Sequence, residues 1–426
     1  MSPRLGTVRP VVNRAVRAAL QRGFRRICGP LLRALPARRH AVVYGWPDDE
    51  GNAVEMVLAL GRRYRGTVYW LLDDARYRGP RHAERELART DRVRRLAKRS
   101  VRAHLLALTA ETTFWTHGLF TAVDPPDDRL VVNLWHGDGP KLAKDTQLFR
   151  STVVVAGTEL WGAQRTERFG LPRENVAVVG NPRVDQFRVH PPSEVLSRLG
   201  LRPDRRTILW LPTFRAGVAG HDRTWSDAQT LSGRAEVAAI VDALGRAAAA
   251  HSVQLVVKPH PLDADRYAGL GIEVLPHESL LAAGVPLYSL LGAADAIISD
   301  VSSVWVDFLT LDRPIGFYLP DLEALEHGRG FNVDDVAALL PGPRIRTASD
   351  AARFVEAVAT RPHALRPSDH PGFARIGIVT GDRVADRLLD WLDDFQRARG
   401  RTPLFTRVDG GGSGGPGGPH AKVPDP

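Results

Sequence analysis

One cysteine, Cys28, stands in 426 residues. A lone thiol excludes an internal disulfide framework and fits a reducing compartment. Lysine is nearly as scarce: Lys98, Lys141, Lys144, Lys258 and Lys422 are all there are, so arginine is the default cation. No apolar run reaches the ~18 residues that a membrane-spanning helix needs. The N-terminus lacks the unbroken apolar core of a signal peptide, because arginines recur through it. Missing too are a GxxxxGKS/T loop, a GxGxxG after a strand, and any zinc-like spacing of His, Cys and carboxylates. These absences describe a cytoplasmic protein for which no metal or other cofactor is expected.

What is present is 43% hydrophobic and 25% charged, the composition of a soluble globular chain long enough for two ordinary domains. The net charge of +10 suggests nucleic acid until it is located. Residues 1–40 hold ten arginines and no acid; without those ten, 48 basic residues face 48 acidic ones. The basicity therefore belongs to one segment, and no nucleic-acid partner is expected. Within it Val12, Val16, Ala19, Leu20, Ile27, Leu31 and Leu35 recur among the arginines at roughly helical spacing. Such a segment suits an anionic membrane surface, although a solvated basic helix or a disordered arm has the same composition.

From Ala41 the pattern alternates between short apolar runs and amphipathic stretches. Strands are expected at Ala41–Gly45, Thr67–Asp73, Val93–Leu96, Thr112–His117, Leu130–His136, Thr152–Thr158 and Asn175–Gly180, with helices between them. After two Pro-containing turns the alternation restarts at Thr207–Thr213 and continues through Val253–Lys258, Ile272–Leu275, Ala293–Ile298 and Ile315–Leu319. This is an α/β chain with parallel sheets covered on both faces. We divide it into a basic segment (1–40), two Rossmann-like halves (41–190 and 191–398, the second with C-terminal helices) and a Gly/Pro-rich tail (399–426) that is expected to be disordered, because it cannot bury a core.

Chemistry-bearing residues gather at the expected strand ends. Ser299-Asp300-Val301-Ser302-Ser303 joins a strand to a helix expected over Val304–Leu311, where hydroxyls and free N–H groups suit a phosphate. The same residues are good helix caps anywhere. His136, after another strand and beside Gly137 and Gly139, suits proton abstraction near neutral pH, or a structural bond to a carbonyl. Asp138 borders it, and Lys141 is expected to open a helix to Phe149. Arg183 and Arg215 follow strands, and an arginine fork fits phosphate oxygens bidentately. Lys258 and His260 lie in Lys-Pro-His-Pro, a rigid turn fit for a preorganised donor. Side-chain cations at a pyrophosphate would offset charge without a bound metal.

These pieces occur in an order that resembles a known family. WHGxxxK (Trp135–Lys141), GNPRxD (Gly180–Asp185), LPTFR (Leu211–Arg215), KPHP (Lys258–Pro261), ADAIISDVSSVWVDF with RPIGFYLPD (Ala294–Asp321) and HGRGF (His327–Phe331) are similar to motifs of the CDP-glycerol glycerophosphotransferases, the wall teichoic acid primases and polymerases. The resemblance covers about residues 110–335. It implies a GT-B fold, two facing Rossmann-like domains with an interdomain cleft, and peripheral attachment to the cytoplasmic face of the membrane. It also implies transfer of a polyol phosphate from CDP-glycerol or CDP-ribitol to a lipid-linked acceptor, with release of CMP. Carried over, His136 is the base, with His260 also catalytic. Arg183, Arg215, His260, Ser302 and Ser303 hold the donor pyrophosphate, and Asp300 is an orienting carboxylate. From their place at the strand ends we add Lys258 to the donor side, and Asp138 and Lys141 as orienting or acceptor-side groups. Two departures stand out: Asp138-Gly139-Pro140 replaces Thr-Pro-Leu, and Val301 replaces an aromatic. A GT-B sugar-nucleotide glycosyltransferase or epimerase is the alternative enzyme, and a polyanion-binding scaffold the alternative without catalysis.

Overall fold

The computed structural model describes residues 30, 34–118, 125–142, 151–212, 227–259, 267, 272–320, 322–328 and 330–407. Seven short strands form the first sheet: β1 (Arg38–Tyr44), β2 (Thr67–Leu72), β3 (Val93–Ala97), β4 (Ala110–Trp115), β5 (Leu130–Asn133), β6 (Val153–Ala156) and β7 (Val176–Val178). All neighbours run parallel, in the order β3-β2-β1-β4-β5-β6-β7. Helices cover both faces, so residues of both pleat phases are buried, and Ala41, Val42, Val43 and Tyr44 are each at most 1% exposed.

The second sheet orders β10-β9-β8-β11-β12-β13, again all parallel. Its strands are β8 (Thr207–Trp210), β9 (Gln254–Val257), β10 (Glu273–Val274), β11 (Ala296–Ser299), β12 (Ile315–Tyr318) and β13 (Arg344–Ile345). Its two-residue edge strand β13 is too short to show as a period in sequence, and the sequence reading missed it. The helices Asp227–Ala250 and Ala348–Thr360 share a core with one face. Thr347 and Asp350 close a capping box at the start of the second.

The opposite face of the second sheet meets the first half in one apolar cluster. Trp161, Val184 and Phe187 pack there with Tyr288, Leu290, Trp305 and Phe317. The connection between the halves is a 3-10 turn, Pro182–Arg188, followed by the helix Pro192–Arg198. The last helix, Val384–Ala398, crosses back. Its Leu388, Leu389 and Leu392 lie in the core of the first sheet, and Asp185 accepts the N–H groups of Val384 and Ala385 at its start (2.8 and 3.0 Å). Arg63, 1% exposed at the end of helix Gly51–Arg63, donates to the carbonyl of Asp386 (2.7 Å) and pins the returning helix. Against the disorder expected from 399 onward, Phe405 packs in this first core and bridges Tyr64, and Arg63 donates to the carbonyl of Thr406 (2.7 Å).

Candidate active site

In doubly wound sheets ligands bind beyond the carboxyl ends of the strands, at the point where strand order reverses. That point lies between β1 and β4 in the first sheet and between β8 and β11 in the second. The loop carrying His136 follows β5, one strand away from the first; Asp300 to Ser303 follow β11, at the second.

The side chain of Asn133 ends β5 by accepting the N–H of Trp135 (2.8 Å), and Trp135 takes the left-handed φ of +56°. This sharp turn leaves His136 exposed. Its ring stacks on that of Trp135 (centroids 4.8 Å, 28° between planes) and on that of His117 (4.5 Å, 27°). The Arg165 guanidinium lies 4.6 Å over Trp135 and is paired with Asp138.

Asp138 is therefore not an open acceptor-side group. It is 1% exposed, bonded to Arg165 and to the N–H of Gly157 (2.7 Å), and any orienting role runs through Arg165 and Trp135. Burial pushes its pKa up, and the Arg165 charge with the Gly157 N–H pulls it back.

The second half closes on this loop. Asp300, 2% exposed, accepts the N–H of Ser302 (3.0 Å) and shapes the turn out of β11. The Ser302 hydroxyl accepts the N–H of Val304 at 3.5 Å. The helix expected over Val304–Leu311 is shorter, Val304–Phe308, and tightens into a 3-10 turn over Leu309–Leu311.

Ser303 packs on Gly137 so closely that a methyl group built there would lie 2.7 Å from its Cβ and 2.6 Å from Nη2 of Arg183. Gly137 also has a φ of +136°. Glycine at this position is what lets the two halves touch. Asn332 ties the same loop from the other side: its N–H donates to the carbonyl of Pro140 (2.8 Å) and its amide to that of Gly139 (3.1 Å). Lys141 forms an isolated bridge with Phe331, and the rest of its expected helix, 143–149, lies outside the described residues.

Arg183, assigned to the donor pyrophosphate by resemblance, is 7% exposed and acts here as a strut. It donates to Asp307 from Nε (2.9 Å), pairs with it through Nη2 (2.6 Å), and donates to the carbonyl of His136 from Nη1 (2.9 Å). Burial would lower its pKa, and the adjoining Asp307 carboxylate outweighs that and raises it. Asp307 also accepts from Asn181 (2.7 Å) and from the hydroxyl of Tyr288 (2.5 Å). The sequence reading assigned no role to this carboxylate. Its signal was an acid in an apolar helical stretch, a residue seldom buried without a partner.

Glu50 went unnoticed as well. Its carboxylate caps helix Gly51–Arg63 by accepting the N–H of Ala53 (2.9 Å), while Oε1 is buried without a hydrogen-bond partner among the described residues. Burial raises its pKa to about 7, against the pull of Arg183. Lys258 is 9% exposed and donates to the carbonyl of Pro259 (3.2 Å); burial lowers its pKa. Arg215 and His260 lie outside the described residues. The structure thus brings His136, Ser303 and Arg183 together, with Ser302 and Asp300 in the adjoining turn.

Two parallel doubly wound sheets, joined by a short crossover and by a helix that returns to the first, with strand-end loops meeting between them, define a GT-B protein. A solved structure of the wall teichoic acid polymerase TagF is similar in architecture: TM-score 0.65 at 15% identity, covering 92% of this chain and 100% of that one. The model of the CDP-Glycerol:Poly(glycerophosphate) glycerophosphotransferase family matches residues 63–368, and the chain belongs to that family. A teichoic acid poly(glycerol phosphate) polymerase of Bacillus subtilis is 24% identical over 200 residues, 46% of this chain and 25% of the polymerase. A teichoic acid glycerol-phosphate primase of Bacillus spizizenii is 25% identical over 248 residues, 53% of this chain and 59% of the primase. A ribitol-phosphate primase from the same species is 26% identical over 235 residues, 54% and 56%. The chain thus spans from a quarter to about three-fifths of the length of these relatives.

Proposed function

We propose that this chain transfers a polyol phosphate from a CDP-alditol, with glycerol or ribitol as the alditol, to a hydroxyl of a lipid-linked acceptor in the synthesis of a teichoic-acid-like polymer. The observation that carries this reading is the contact of Ser303 with Gly137, which sets the loop after β11 against the one that presents His136. His136 takes the proton of the acceptor hydroxyl. The freed oxygen attacks the phosphorus that bears the alditol, the bond from that phosphorus to the bridging oxygen breaks, and CMP leaves. Ser302 and Ser303 hold donor phosphate oxygens, as do Arg215 and His260 by resemblance. Arg183 sets the carbonyl of His136, while its Nη2 borders the contact.

Attachment to the cytoplasmic face of a membrane belongs to the same reading. Most of the basic segment, residues 1–29 and 31–33, lies outside the described residues. A second feature supports attachment. Residues 73–105 hold eleven Lys and Arg against five Asp and Glu. Within them the edge strand β3 leads to helix Val101–Thr109, where Val101 (77% exposed) and Leu105 (48%) stand one turn apart beside exposed Arg99 and Arg102. Cations around exposed apolar groups suit an anionic bilayer surface. No helix among the described residues is long and apolar enough to cross a membrane.

The test is release of nucleotide from CDP-glycerol, CDP-ribitol and UDP-sugars offered separately with a lipid-linked acceptor. CMP from a CDP-alditol is expected; UDP release alone would favour the sugar-nucleotide enzyme. His136→Ala is expected to abolish turnover while the CDP-alditol still binds, and substantial residual activity removes the mechanism.

A further inference from the structure

Two aromatic residues just beyond the strands that flank the reversal point of the first sheet lie outside the ordered motifs. Trp46 follows β1 and His117 follows β4, the two strands between which the order reverses. Trp46 is 58% exposed, and its ring meets that of His117 edge-on (centroids 5.7 Å, 73°). His117 in turn stacks on His136 at 4.5 Å and 27°. Its Nδ1 is 2.8 Å from the hydroxyl of Thr116, which fixes the ring's rotation. An exposed histidine on a loop has many orientations open to it. Here rings from the ends of three strands (Trp46, His117, then Trp135 with His136) restrict the His136 imidazole.

We propose that His117 is a positioning residue, whose neutral ring holds the His136 imidazole in the orientation that accepts the acceptor's proton. This rests on the reading of His136 as the base. The charged and titratable groups acting on His117 come from several elements: His136 after β5, Arg183 in the crossover turn and Lys98 after β3. Desolvation comes first, then the charge that His136 carries once protonated and the standing charges of Arg183 and Lys98, and together they push His117 down to about 3. The residue is exposed, and water around it screens part of the shift. Any lowering leaves the ring uncharged at pH 7. A neutral stacked ring lets His136 gain a proton beside it without like-charge repulsion, whereas a cation would oppose that gain. Orientation is the other half of the effect, since a base acts only within hydrogen-bond reach of the proton it takes.

The experiment compares His117→Phe, His117→Ala and His117→Lys in the full chain, each checked for native circular dichroism. CMP release is measured against CDP-alditol concentration, and the His136 imidazole is titrated by NMR, its signal assigned from its loss in His136→Ala. His117→Ala is expected to lower kcat by about 10-fold or more, a part of the roughly 10²–10⁴-fold that a general base supplies, with KM for the donor little changed. His117→Phe, which keeps an aromatic ring without a titratable group, is expected to recover most of kcat. His117→Lys is expected to move the His136 titration down by about one pH unit, as a like charge close by does. An unchanged kcat in His117→Ala overturns the proposal, as does an equal loss in the Phe and Ala variants, which would mean that stacking is not the means. An inactive His136→Ala beside a fully active His117→Ala sinks this proposal alone. A fully active His136→Ala sinks the base assignment and the proposal with it.

Discussion

Asp307 ties the crossover turn to the second half, and its substitution tests the structural reasoning directly. The carboxylate is 2% exposed and receives the Arg183 guanidinium, the Asn181 amide and the Tyr288 hydroxyl. Asp307→Asn keeps the volume and one acceptor oxygen but removes the charge opposite a guanidinium that is itself 7% exposed. Breaking a buried ion pair from one side costs about 3–5 kcal/mol, because the remaining charge has lost its counter-ion. A hydroxyl or amide left unpaired in the same place adds about 1–3 kcal/mol. Against a total stability of roughly 5–15 kcal/mol, the variant is expected to survive, strongly weakened.

The assay is urea unfolding followed by tryptophan fluorescence and circular dichroism together, with an unchanged m-value as the condition for comparing midpoints. The doubly apolar variant Arg183→Met with Asp307→Leu removes both charges. Buried pairs replaced in this way are often near neutral, so the double variant is expected to lose at least about 2 kcal/mol less than the two single changes add up to. A loss below about 1 kcal/mol in Asp307→Asn refutes the reasoning, as does a double variant that equals the sum of the singles.

Glu50 is a carboxyl whose folded pKa, about 7, lies above the ordinary 4.5. Between those values the folded protein binds the extra proton, so stability falls as pH rises through that window, by about 3 kcal/mol in all. Glu50→Gln, which keeps an acceptor for the Ala53 N–H, is expected to be more stable than the parent at pH 8 and equal to it near pH 4.5. Equal stability of the two at pH 8 rejects the assignment. Gly137→Ala places a methyl group 2.6 Å from Nη2 of Arg183 and 2.7 Å from Cβ of Ser303. It is expected to displace the meeting loops and cut turnover by about 100-fold, and near-normal turnover would show that this contact is not needed. On vesicles rich in anionic lipid, replacing Arg94, Arg99 and Arg102 by alanine is expected to weaken sedimentation of the full chain by about 100-fold, at about 1 kcal/mol per arginine. Unchanged sedimentation would remove the β3 edge from the membrane reading.

Alternation of short apolar runs with amphipathic stretches was enough to read two parallel sheets, because buried strands with helices on both faces leave that pattern in any order of pairing. It was likewise enough to set His136, Ser302 and Ser303 at strand ends, since polar turns close the apolar runs. The chain read by itself also located the first concentration of charge, in residues 1–40. It averaged away the second, because the basic residues of 73–105 are offset by acids far off in sequence and become a surface only when β3 takes the edge of the sheet.

What only the tertiary structure decided were the pairings between distant residues. Asp307 and Arg183 are 124 positions apart and meet because the crossover turn lies against helix Val304–Phe308. Asp138 reads as an open site residue beside His136, yet the fold buries it on Arg165. His117 gains its place from β4 lying between β1 and β5, and helix Val384–Ala398 returns to the first core although it follows the second sheet. Periodicity records which face of an element is buried; it holds no record of which other element buries it.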